Sequence, residues 1–69
     1  MKKIGFSVPD MSCGHCVERI RRALKEVGID AEIDLQNRTV ILDEKDEEKG
    51  RRRLEEIDYP VKSRFDAGK

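Results

Sequence analysis

Cys13 and Cys16 are the only cysteines of the chain, with two residues between them in Met11-Ser12-Cys13-Gly14-His15-Cys16, one of which is the single histidine. That spacing lets both sulfurs converge on one atom. A thiolate is both a metal ligand and a nucleophile, so the pair suits a soft metal, a reversible disulfide or one small staple. Ligand counting separates the metals. Structural Zn²⁺ takes four protein ligands and catalytic Zn²⁺ usually three plus water, whereas this motif offers two thiolates, with His15 and Asp10 as the only additions. Cu(I) is soft and favours thiolates. Two cysteines on an exposed loop suit it better, and they leave room for a partner's thiolate as a third ligand.

The flanking sequence predicts what holds the motif. Ile4, Phe6 and Val8 alternate with Lys3, Gly5 and Ser7, the period of a half-buried strand ended by Pro9 and Asp10. Val17, Ile20, Leu24 and Val27 recur at helical spacing against a charged face, and Gly28 is a natural C-cap. Cys16 then falls in the opening turn of a helix and Cys13 on the loop before it, where free backbone N–H groups and the helix dipole favour an anion. Ala31, Ile33 and Leu35 alternate again, Gln36-Asn37-Arg38 is a turn, and Thr39 to Leu42 is apolar and β-branched, which together read as a hairpin. Asp46 is placed to cap a second helix to about Ile57, with Leu54 and Ile57 inward. That helix reads as the weakest element, because Gly50 costs about 1 kcal/mol against Ala. Tyr59-Pro60 breaks the chain before a last strand, Val61 to Phe65.

The order β-α-β-β-α-β predicts an α+β, ferredoxin-like fold: a four-stranded antiparallel sheet with two helices on one face and a largely polar opposite face. Residues 1–66 form one domain, and 67–69 a loose tail.

Composition narrows the function. Fifteen acidic and fifteen basic side chains cancel, so nothing draws the chain generally to nucleic acid or to an anionic membrane. Residues 1–9 lack the apolar core of a signal peptide, and no run approaches the roughly 18 apolar residues of a membrane span. The expected location is cytoplasmic. Two cysteines in a reducing compartment point to metal binding or redox work rather than a structural bridge.

Cys-Gly-His-Cys resembles the active-site tetrapeptide of protein disulfide isomerases, in which the histidine makes the pair oxidising. A dithiol–disulfide oxidoreductase is therefore one alternative. The hairpin after the second strand opposes it, since thioredoxin and glutaredoxin folds place a helix there. Ser12 also stands where that family commonly has an aromatic residue.

Met-x-Cys-x-x-Cys after a first strand, opening the first helix of such a chain, resembles the heavy-metal-associated domain family over roughly residues 2 to 65. Small copper chaperones and the N-terminal domains of copper-transporting P-type ATPases belong to that family. The resemblance implies a metallochaperone rather than an enzyme. Cys13 and Cys16 would be its Cu(I) ligands, and a copper-transporting ATPase or a copper-responsive repressor its partner. It also implies that Met11 turns into the core to support the loop, that Tyr59 shields or bonds the sulfurs, and that Ser12 is the copper-like residue where zinc and cadmium binders often carry an acid. Asp10 departs from the glycine common in the copper branch, and its carboxylate keeps a zinc, cadmium or mercury carrier open. An excised ATPase domain is a further alternative, to which a stand-alone chain is preferred. The expected state is a monomer, with a metal-bridged dimer as the alternative. His15 reads as a solvated loop residue that tunes the thiolates. Arg19, Arg22 and Lys25 read as a solvated helix face or a dock for an acidic partner, and the acidic run 43–48 has no site role.

Overall fold

The computed structural model describes residues 2–67. The strands and helices are β1 (Lys3–Ser7), α1 (Gly14–Glu26), β2 (Glu32–Asp34), β3 (Thr39–Asp43), α2 (Glu47–Glu56) and β4 (Ser63–Asp66), with a 3₁₀ turn over Glu44–Asp46 leading into α2. The sheet is antiparallel in the order β2-β3-β1-β4. This is the expected ferredoxin-like arrangement. No helix among the described residues is long and apolar enough to cross a membrane.

Register explains the core. Ile4 pairs with Leu42 and Phe6 with Val40, so these side chains share one face of the sheet. All four are buried there with Val8, Met11, Ile20, Leu24, Ile29 and Leu54. Strand alternation and helix periodicity thus meet on the same side, the burial that stabilises the fold. The row one residue out of phase, Phe65–Gly5–Ile41, belongs to the opposite face. That face is not wholly polar: the Phe65 ring, 39% exposed, covers the place where a side chain at Gly5 would stand.

Several boundaries differ from expectation. β2 stops at Asp34, and Leu35 is 38% exposed rather than inward. The Asp34 carboxylate accepts the Asn37 backbone N–H at 3.2 Å and the Asn37 side-chain amide at 2.8 Å, so a polar turn replaces the next strand residue. β4 starts at Ser63, not Val61. Pro60 has no N–H to give a ladder, and pairing is led by the Lys62 N–H donating to the Ser7 carbonyl at 2.8 Å. Ala67 still donates to the Lys3 carbonyl at 3.0 Å, while the rest of the expected tail, 68–69, lies outside the described residues. Asp46 occupies the N-cap of α2, but its side chain makes no capping bond. Ile57 is the C-cap of that helix and only half-buried.

Gly50 is the largest revision. It is buried, and a Cβ there would lie 2.8 Å from Leu42 Cδ1 and 3.5 Å from Ile29 Cδ1. The residue that weakens α2 as a helix is the one that lets it lie close against β3. Arg53 adds a tie to α1: its guanidinium donates to the Ala23 carbonyl at 3.3 Å and pairs with Glu26 at 2.6 Å and Glu56 at 3.1 Å.

Candidate metal centre

Both helix ends that bear on the motif are built by backbone bonds. The Val8 carbonyl accepts the Met11 N–H at 3.0 Å, which closes a tight turn around Pro9 and Asp10 and drives Met11 fully into the core. Cys13 follows as the N-cap of α1, with extended backbone and its carbonyl accepting the N–H groups of Cys16 at 3.0 Å and Val17 at 3.2 Å. Cys16 therefore sits on the first turn, directed back toward the loop.

Tyr59 comes to the same place from α2. The Tyr59 N–H donates to the Leu54 carbonyl at 2.9 Å and the Asp58 N–H to the Glu55 carbonyl at 3.2 Å, the paired bonds of a Schellman ending. Asp58 takes the left-handed position at φ +67° that the motif demands, a conformation in which Asp is more tolerable than most residues. α1 closes in the same way, with Gly28 at φ +80° and the Ile29 N–H on the Leu24 carbonyl at 2.9 Å.

The two Sγ atoms lie 3.3 Å apart as free thiols, Cys13 exposed and Cys16 9% exposed. The Cys16 thiol is lowered to about 7, first by the Tyr59 phenol and then by the Ser12 backbone amide and the Cys13 thiol, against the opposing effect of burial. Tyr59 is shifted upward, chiefly by the neighbouring Cys16 sulfur and then by burial. The Asp10 carbonyl, 3.9 Å from the Cys16 sulfur, faces the site. Among the described residues no three histidine, cysteine, aspartate or glutamate side chains gather to hold an ion. His15 is exposed in a shallow groove with Glu18, Arg19 and Arg22. Ser12 is exposed beside Cys13. Of the residues singled out from sequence, Cys13, Cys16, Met11 and Tyr59 therefore lie on or under the site, while the Asp10 carboxylate and His15 do not join the sulfurs in a third-ligand cluster.

Residues 6–58 match the heavy-metal-associated domain family. The chain belongs to that family. A solved NMR structure of a heavy metal binding protein from Thermotoga maritima is 36% identical, with 94% of this chain and 98% of that chain covered and a TM-score of 0.87. No curated protein matches the sequence.

In this heavy-metal-associated domain the largest lowering influence on the Cys16 thiol comes from Tyr59, far away in the chain. Tyr59→Phe removes the largest lowering influence, so the Cys16 titration rises from about 7 toward its ordinary 9.0. Alkylation rate against pH, read at each cysteine by mass spectrometry, measures it. An unchanged midpoint would assign the lowering to the Ser12 amide and Cys13 instead. The sign for stability follows. A thiol whose folded pKa is depressed contributes in full above 9.0 and loses that contribution as pH falls through about 7.

Sequence reasoning did not find Arg19 as a neighbour of the site. Its guanidinium carbon stands 5.9 Å from the Tyr59 ring centroid. Its position one turn after Cys16 was legible, but its partner across the fold was not.

Proposed function

We propose that this domain carries one Cu(I) between the thiolates of Cys13 and Cys16 and passes it, without catalysis of its own, to a Cys-x-x-Cys site on a partner by stepwise thiolate exchange. The observation that carries the reading is a pair of convergent free thiols, Cys13 exposed and Cys16 buried beneath it, with no third His, Cys, Asp or Glu ligand gathered among the described residues. That donor set satisfies a soft ion of low coordination number and falls short of the four ligands of structural zinc.

Metal–sulfur bonds of about 2.3 Å set the sulfurs about 3.8 Å apart in a tetrahedral site and about 4.6 Å apart in a linear one. Both exceed the 3.3 Å of the free thiols, so loading spreads the pair. Cys13 is the sulfur free to move, since it is exposed, while Cys16 is packed among the core residues. Cys13 is accordingly the ligand exchanged first. By the same reading the protein works in the cytoplasm, as a monomer or as a dimer bridged by the metal, and delivers to a copper-transporting ATPase or a copper-responsive repressor.

Competition titrations on the fully reduced protein, without oxygen, test this. Cu(I) against a chromogenic chelator should give tight binding at one ion per chain, with Zn²⁺ far weaker. Comparable or tighter Zn²⁺ binding sinks the copper assignment in favour of a zinc-type carrier. Asp10→Gly then becomes the variant that decides whether that carboxylate supplies a ligand.

A further inference from the structure

Arg19 is a basic residue of α1 whose guanidinium lies against the Tyr59 ring. It is exposed on the rim, one turn after Cys16, in the groove it shares with His15, Glu18 and Arg22. The nearest acid on its own helix, Glu18, pairs with Arg21 at 3.3 Å. Among the described residues no carboxylate pairs with Arg19. Its guanidinium instead lies over the face of the Tyr59 ring at 5.9 Å from the centroid. A cation there is attracted by the negative face of the ring.

The ring itself is 9% exposed and belongs to the core cluster that also holds Cys16. The Tyr59 backbone is fixed by the Schellman ending of α2, but Pro60 follows at once and the chain then leaves the helix. Nothing in that backbone arrangement sets the tilt of the phenol over Cys16. Core packing holds the ring there, and a cation on its face adds to that packing by favouring the orientation in which the ring stays against Cys16.

We infer that Arg19 is a positioning residue for the thiol pair: it holds the Tyr59 ring over Cys16 and so slows removal of a bound soft metal. The part of this inference that concerns metal rests on the Cu(I) reading above; the part that concerns the ring does not. The contact is exposed and single, so the expected effects are about 2–5-fold, the range of one cation–π interaction at a surface.

The chain has one tyrosine and no tryptophan, so its emission reports on this ring alone. In the metal-free protein, Arg19→Ala should raise the acrylamide quenching of Tyr59 emission, and Arg19→Lys should restore much of the protection. In the Cu(I)-loaded protein, Arg19→Ala should speed extraction of the ion by a chelator about 2–5-fold. The same substitution in a Tyr59→Leu background should change extraction little, because the ring through which Arg19 acts is gone. That comparison also cancels any direct effect of the lost charge on the chelator. Arg19 is on the surface, so its variants fold. If Tyr59→Leu does not, the quenching series alone decides. Unchanged quenching in Arg19→Ala overturns the inference, as does an equal gain in extraction rate in both backgrounds. If the wild-type protein binds no Cu(I), the proposed function fails, and the quenching result still stands for or against Arg19.

Discussion

Leu54→Ala lowers the stability of the domain by about 2–5 kcal/mol, the range for deleting a buried leucine side chain. The position explains why the upper half of that range applies. α2 has only two buried residues, Gly50 and Leu54. Gly50 has no side chain to contribute, so its role is to let the helix approach the sheet. Leu54 is fully buried and supplies the apolar contact of that helix with the core. α1, by contrast, buries Cys16, Ile20, Ala23 and Leu24, and can lose one of them with less damage. A chain of this length has a total stability of about 3–10 kcal/mol on the usual per-residue scale. The variant is therefore expected to be partly unfolded at ordinary temperature. Urea unfolding measures the loss. Hydrogen exchange should show α2 opening first, together with the Leu54 carbonyl bond that seats Tyr59. A loss under 1 kcal/mol would falsify this account of α2.

Cys16→Ser and Cys13→Ser each reduce Cu(I) affinity by more than about 100-fold, beyond the cost of losing an outer-shell partner of a metal ligand. One thiolate is half of the ligand set proposed here, and a serine hydroxyl is not a soft donor. The two variants differ in their effect on the fold. Cys13 is exposed and its side chain makes no capping bond, so serine, a preferred N-cap residue, should leave the melting temperature unchanged or slightly raised. Cys16 is packed into the core cluster with Met11 and Tyr59. A hydroxyl there costs about 1 kcal/mol, at the low end for a polar group placed in a largely apolar setting. Equal loss of affinity with unequal loss of stability is the expected pattern. Full binding in either variant would remove that cysteine from the proposed site.

Much of this architecture was written locally. The alternation of Ile4, Phe6 and Val8 and the helical recurrence of Ile20 and Leu24 need only their neighbours in the chain, and each lies on the side that the periodicity assigns. Leu35 broke the same rule because Asp34 and Asn37 form their own bonds and end the strand one residue early. Gly50 shows the opposite failure. Its propensity marks a weak helix, yet the distance from Gly50 to Leu42 decides its value, and that contact spans two elements.

The division at the candidate site has the same origin. Residue type and a spacing of three positions, with the strand before and the helix after, were sufficient to bring Cys13 and Cys16 together at a helix start, because local backbone geometry carries that information. Which other groups meet them was settled only by packing. Met11 turns inward because the Val8–Met11 turn delivers it to the core. The Asp10 carbonyl, rather than its carboxylate, faces Cys16 because the same turn points the peptide at the sulfur. Tyr59 and Arg19 meet because α2 packs beside α1 and the chain turns back at its end to bring Tyr59 to that helix. Pairings between distant elements depend on how closely two surfaces approach, and no periodicity within either surface encodes that.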